Sequence, residues 1–295
     1  MGKTEIEWAD FTFNPFIGCT KVSPGCQNCY AERRSHRFPE QGQWGPGAPR
    51  KRTSPANWRK PLAWAKAALG PRARCADCGL PRGFHGAVLA EAGDPQCDAG
   101  VRREFLAQRP RVFCASLADW LDHEAPTEWL ADLLALISQT PELDWLLLTK
   151  RPQLWRERVT VAMAGCFDED PLTLMESWLG GDPPSNVWVG TSVEDQARAD
   201  ERHRHLKAIP ARVHFWSAEP LLGAVLLPDD PPDWVIAGGE SGPGARPMQV
   251  EHARSLRDQC AEAGVSFFMK QMGGTRKPFH EIPDDLMLRE FPHAW

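Results

Sequence analysis

The chain has 295 residues, 42% of them hydrophobic and 25% charged, with 34 Lys plus Arg against 39 Asp plus Glu. That length and apolar share give room for a core of ordinary size, on the scale of one barrel-like α/β domain. No window approaches the roughly 18 apolar residues of a membrane span, and the opening MGKTEIEWAD has no apolar leader stretch. The expectation is a cytoplasmic protein with no membrane partner. Its nine cysteines are then better read as metal-binding, catalytic or small core residues than as a disulfide framework.

A first strand is expected near residues 11–17. It leads into NPFIGCTKVSPGCQNCYAE, in which Cys19, Cys26 and Cys29 have the spacing C-x6-C-x2-C. Gly18, Pro24 and Gly25 let such a loop fold back so that three thiolates converge. The set suits a [4Fe–4S] cluster with one iron left without a protein ligand, whereas a cluster that only carries electrons is usually closed by four Cys.

Residues 39–110 interrupt the pattern with Pro, Gly and Arg and read as a Cys-containing insertion after the first strand. Trp58, Leu62, Trp64 and Leu69 suggest one short helix there. From residue 31 to 74 there are eleven basic residues against two acidic ones, with Trp44, Trp58 and Trp64 interleaved. That mixture fits a nucleic acid or nucleotide-like anion, with a solvated basic face as the alternative. Within residues 71–100, Cys75, Cys78, His85 and Cys97 form a C-x2-C-x6-H-x11-C set suited to a structural zinc, with Asp98 able to replace His85. An auxiliary iron–sulfur cluster, free thiols, or one zinc shared by the Cys26/Cys29 and Cys75/Cys78 pairs are the other readings. Cys114, Cys166 and Cys260 are expected in the core.

After residue 110, short apolar runs at 112–116, 145–149, 187–191, 213–217, 234–237 and 265–269 alternate with amphipathic stretches. These runs suit strands buried on both faces. Helices are expected over 127–137, with Thr127 as N-cap, and over 250–263, closed by Gly264. Such alternation predicts parallel β/α units and a partial or complete (β/α) barrel, with a doubly wound open sheet as the alternative. Polar and glycine residues gather after each run, on the side where barrels build their sites. Residues 274–295 read as a tail.

A strand, a Gly-Cys loop with an aromatic beside its last Cys, and then barrel strands resemble the radical S-adenosylmethionine superfamily, although its usual spacing is C-x3-C-x2-C. The chain more closely resembles a phage-associated three-cysteine family of uncharacterised proteins. That likeness rests on residues 14–32, 57–62 (NWRKPL), 112–120, 146–152 (LLLTKRP), 187–194, 217–223 (SAEPLLG), 237–242 (AGGESG) and 267–271 (FFMKQ). The resemblance implies a single barrel domain of the radical type over residues 1–295 and a [4Fe–4S] cluster on Cys19, Cys26 and Cys29. It also implies S-adenosylmethionine, split to a 5′-deoxyadenosyl radical that takes hydrogen from a substrate. An electron donor such as flavodoxin or ferredoxin, and a separate partner protein, are expected with it. Ser116, Asp119, Thr149, Ser192, Glu194, Glu219, Gly239 and Glu240 are the strand-end candidates for cofactor contacts. Glu219 and Glu240 rank first, because a Glu directly after a buried strand needs a partner. The contrasting function is a metal-stabilised binding protein without catalysis.

Overall fold

The computed structural model describes residues 4–38, 40, 42–68, 109–276 and 281–292. Seven strands form one sheet in the order β1 (Phe11–Phe13), β4 (Arg111–Cys114), β5 (Asp144–Thr149), β6 (Val187–Ser192), β7 (Val213–Ala218), β8 (Trp234–Gly238) and β9 (Ser266–Gln271). Every neighbouring pair is parallel. The sheet curls into a half-barrel whose first and last strands do not pair, so the expected barrel is partial. A separate two-stranded antiparallel piece joins β2 (Phe16–Ile17) to β3 (Lys51–Arg52).

The strand interiors are apolar on both faces because both faces are covered. On the outer face Val112, Leu147, Val189, Trp216, Val235 and Met269 pack against helices. On the inner face Phe113, Leu146, Trp188, Phe215, Trp234, Ile236 and Phe268 form a second apolar cluster with Trp8. Trp234 sits at its centre, in edge contact with Trp8 at 6.2 Å and with Trp188 at 6.0 Å between ring centroids. This aromatic floor fills the lower part of the half-barrel. Gly190 on β6 lies under Phe215, where a Cβ would overlap the ring.

The helices are α1 (Tyr30–Arg37), α2 (Pro55–Trp58), α3 (Lys60–Ala68), α4 (Thr127–Ser138), α5 (Trp155–Ala164), α6 (Glu169–Leu179), α7 (Gln196–Lys207) and α8 (Val250–Ala263). α4 buries Leu130, Leu133, Leu134, Leu136 and Ile137 on one face, as its spacing predicts. Thr127 is its first helical residue, and the cap is Pro126, without a side-chain bond. α8 ends at Gly264, whose φ of 69° suits a glycine C-cap. The expected single helix near residues 58–69 is two: Ser54 caps α2, and α3 follows. Trp64 stacks on Phe11 at 4.4 Å and Trp58 meets Phe13 edge-on at 5.3 Å, so both indoles belong to packing against β1. Cys114 and Cys260 are buried, and Cys166 is partly buried against the same core.

The segment after β9 returns to it. Met269 N–H donates to Leu288 O at 3.0 Å, Glu290 N–H donates to Phe267 O at 3.0 Å, and Phe268 and Arg289 form an antiparallel bridge. Phe291 then closes the aromatic floor, 5.4 Å from both Trp234 and Phe268, with the Arg111 guanidinium 3.7 Å above its ring. No helix among the described residues is long and apolar enough to cross a membrane.

Candidate functional site

The C-terminal ends of the strands surround a cavity of about 790 Å³ above the aromatic floor. Cys19, Cys26 and Cys29 all line it, and no other cysteine among the described residues does. All three are free, partly buried thiols. They are delivered by the loop between β2 and α1, and each stretch of that loop is fastened to a different part of the half-barrel.

The start of the loop is tied to the end of β4. Leu117 N–H donates to Asn14 Oδ1 at 2.7 Å, and Asn14 Nδ2 donates to Ser116 Oγ at 3.0 Å. Gly18 has φ 119°, and a Cβ there would lie 2.7 Å from Gln43 O and 2.8 Å from Arg50 Cδ, so only glycine fits. Beside Cys19, Arg151 donates to Thr20 O at 2.7 Å and to Cys19 Sγ at 3.6 Å, while paired with Asp119 at 2.9 Å. Burial pushes the Cys19 thiol up to about 12, with Asp119 adding to the shift and Arg151 opposing it.

The middle of the loop rests on Glu194. Its carboxylate accepts from Gly25 N–H at 3.2 Å and from Arg202 at 2.9 Å, and is fully buried. A Cβ on Gly25 would come 3.0 Å from that carboxylate carbon. Burial raises the Glu194 carboxyl, but Arg202 and Lys150 outweigh it and hold it below its ordinary range. Burial also acts on Cys26, yet Lys150 and hydrogen bonds within the loop leave that thiol lowered. For Cys29 burial wins and the thiol is raised.

The far end of the loop is clasped by Glu240 and Arg246. Glu240 accepts from Asn28 Nδ2 at 2.9 Å and from Arg246 Nη2 at 2.7 Å; Arg246 in turn donates to Pro24 O at 3.0 Å and Gln27 Oε1 at 3.2 Å. Burial raises the Glu240 carboxyl, and the bonds from Arg246 and Asn28 more than reverse this. The Tyr30 hydroxyl, next to Cys29, donates to Ser116 O at 2.6 Å.

Of the strand-end candidates, Ser116, Asp119, Thr149, Ser192 and Glu219 line the cavity. Asp119 is saturated by Thr149 Oγ1 at 2.6 Å, Lys150 N–H at 2.9 Å and Arg151 at 2.9 Å. Glu219 pairs with Lys270 at 2.8 Å and accepts from Ser217 Oγ at 3.2 Å. Glu194, Gly239 and Glu240 are not in the lining: the two carboxylates hold the cysteine loop instead, and a Cβ on Gly239 would collide with Met272 O of the neighbouring chain segment. Sequence reasoning missed Lys150, Arg151, Lys270 and Arg34 as lining residues. A cation directly after a buried strand, as at Lys150, was the available signal.

Cys75, Cys78, His85 and Cys97 lie outside the described residues, and so does the expected zinc module. Among the described residues no three His, Cys, Asp or Glu side chains are drawn together closely enough to hold a single metal ion. Much of the basic stretch is engaged internally. Arg50 is buried against Asp122 at 2.8 Å and pairs with Glu124, Arg52 pairs with Asp132 at 2.6 Å, and Arg33 donates to the carbonyls of Ser241 and Pro243.

A parallel half-barrel with a cysteine loop folded over its strand ends is thus the architecture of the site. The chain matches the family described as "Protein of unknown function (DUF5131)" over residues 3–287 and belongs to it. No curated protein and no solved structure matches the chain.

Proposed function

We propose that the protein is a radical S-adenosylmethionine enzyme holding a [4Fe–4S] cluster on Cys19, Cys26 and Cys29. The observation that carries this reading is that the three cysteines of one loop open into a single cavity at the C-terminal ends of a parallel half-barrel. The donor set fits the group. Thiolates are the usual iron–sulfur ligands, and a cuboidal cluster takes each on a different iron, more widely spaced than one ion would need. Among the described residues no fourth cysteine lines the cavity, so these three would leave one iron without a protein ligand. When bound, the cluster would supply the single electron that splits S-adenosylmethionine.

The chain's own residues have three tasks in this reading. Glu194, Glu240 and Arg246 hold the loop in place before any cofactor arrives. Lys150 and Arg151 bring positive charge to the thiolates, which an anionic cluster needs in a partly buried site. The aromatic floor of Trp8, Trp188 and Trp234 keeps water out from below, which protects a reactive radical.

The test is anaerobic purification followed by iron analysis and reduction. The expected result is about four irons per chain with absorbance near ~400 nm, lost when all three cysteines become Ala, and 5′-deoxyadenosine formed from S-adenosylmethionine by the reduced protein. A colourless chain after anaerobic reconstitution would sink the reading. An intact cluster that forms no 5′-deoxyadenosine would leave a binding protein in place of an enzyme.

A further inference from the structure

Much of the basic stretch is paired inside the fold, but the helix that leaves the cysteine loop is not. α1 carries Arg33, Arg34, His36 and Arg37 against one acid, Glu32, and that acid is paired with Lys21 at 2.6 Å. Its buried side is narrow, formed by Ala31 and Ser35. Tyr30, Arg34, Arg37 and Phe38 lie at i, i+4, i+7 and i+8, on one stripe of a 3.6-residue helix, and all four are exposed. Tyr30 is 54% exposed and Phe38, which closes the helix, 39%. The Arg34 guanidinium lies over the Phe38 ring, 5.7 Å from its centroid. The Arg37 side chain has no hydrogen bond or ion pair among the described residues.

Arginine does not shed its charge, and neither Arg34 nor Arg37 meets a carboxylate among the described residues. The next acid along the chain is Glu40, exposed and past the end of the helix. Two free guanidinium groups suit any polyanion. The two exposed rings narrow the choice, because they offer flat faces on which unpaired bases stack, a use that a string of carboxylates does not have. Base faces are hidden inside a duplex, so the mixture favours a single strand. Tyr30 and Arg34 also line the cavity, whereas Arg37 and Phe38 do not. The stripe therefore starts at the cavity rim and leads away from it, over about 12 Å of helix.

We propose that this face of α1 binds single-stranded nucleic acid, with Arg34 and Arg37 on phosphates and the Tyr30 and Phe38 rings against bases. The inference names the substrate class of the proposed enzyme and rests on that reading only for the strand being a substrate; the binding itself needs no cluster. The rival role for the two arginines is structural, since cations in a last helical turn offset the helix dipole. The rival occupant is an acidic protein surface.

The experiment follows fluorescence anisotropy of short end-labelled oligonucleotides on the purified full chain, its iron content measured, across a salt series. The probes are single-stranded DNA, single-stranded RNA and a DNA duplex. The expected result is binding of a single strand at low salt, tighter than binding of the duplex. In Arg34→Gln/Arg37→Gln the affinity should fall about tenfold or more, and the slope of log affinity against log salt should drop by about 1.4, as loss of two phosphate contacts requires. Phe38→Leu, which keeps an apolar residue at the helix end, should weaken the single strand about fivefold or more and leave the salt slope unchanged. Thermal melting of both variants tests the structural role: a lowered melting temperature with unchanged strand binding assigns the arginines to the helix and overturns the face. No binding of either single strand at low salt, or a duplex bound as tightly as a strand, also overturns it. Polyglutamate that displaces the strand as well as an unlabelled strand does, with no effect of Phe38→Leu, overturns it in favour of an acidic protein partner. A chain that forms 5′-deoxyadenosine but binds no strand would lose the face and keep the proposed enzyme. Strand binding that depends on Arg34 and Arg37 in a chain that never assembles a cluster would keep the face and remove the enzyme.

Discussion

Replacing Glu194 by Ala tests whether the cysteine loop is held by the half-barrel or merely lies upon it. The carboxylate is fully buried and bonded both to Arg202, whose side chain is itself only 3% exposed, and to Gly25 N–H. Truncation would leave the Arg202 guanidinium buried with Ser192 O as its remaining acceptor. Removing one partner of a buried ion pair costs about 3–5 kcal/mol, and whole domains are stable by roughly 5–15 kcal/mol. With a urea m-value of about 3 kcal/mol per M, the unfolding midpoint should fall by about 1–1.7 M. The loop should also loosen. Lys21, 44% exposed within it, should become a faster site of tryptic cutting in native buffer. The double variant Glu194→Leu/Arg202→Met should regain most of the stability, because a packed apolar pair can replace a buried ionic one. It should not regain protection at Lys21, because no acceptor for Gly25 N–H is restored. A Glu194→Ala chain within about 1 kcal/mol of wild type, with unchanged cutting at Lys21, would refute the reasoning.

Gly190→Ala should destabilise the fold by about 1–3 kcal/mol, since the new methyl group must displace the Phe215 ring from the aromatic floor; thermal melting measures it, and an unchanged melting temperature would mean the floor is loosely packed. Burial raises the Asp144 carboxyl to about 6 despite Arg109 and Arg111. Because its folded value lies above its unfolded one, stability should fall as pH rises from about 4 to 6, and Asp144→Asn should abolish that decline in urea titrations across the range. His203 acts in the opposite sense. Burial lowers its pKa, and its ring is fixed as a neutral tautomer, with Nδ1 accepting from Trp216 at 3.2 Å and Nε2 donating to Asp230 O at 2.8 Å. Its contribution should be present above about pH 6.5 and lost as pH falls below that, and NMR titration of the ring should show protonation at lower pH than an exposed histidine.

The strands were legible because each is buried on two faces, so runs such as 145–149 and 234–237 carry almost no polar residue to blur them. After residue 110 their ends shifted by only one or two residues in the structure, whereas the expected strand at 11–17 is two, β1 in the main sheet and β2 in the two-stranded piece. Helix α7 was invisible for the opposite reason. QARADERHRHLK buries only Ala199, Arg202 and Leu206, and one of those three is an arginine whose partner is a glutamate. The three cysteines could be read directly, since loop chemistry and spacing are local. What surrounds them could not. Arg151 meets Cys19 across 132 positions and Gly25 meets Glu194 across 169. The rule that a glutamate after a buried strand needs a partner held for Glu194, Glu219 and Glu240. Which partner each has was decided by folding, and two of the three turned to the loop rather than to the cavity.

Residues 288–290 do for β9 what one more strand would do. An outermost strand left bare offers its unused amide and carbonyl groups to any passing chain, and here that strand lies beside Trp234 and Phe268, both fully buried. The antiparallel bridge at Arg289, the ion pair from Arg289 to Glu7 at 2.8 Å and the Trp234 indole bonded to Glu290 O at 2.9 Å together keep that offer closed. A chain nicked near Met287, itself 52% exposed, would keep its cysteine loop and most of its helices. Its failure would come instead as molecules adding to one another along β9, so that solubility, rather than helix content, would report the injury.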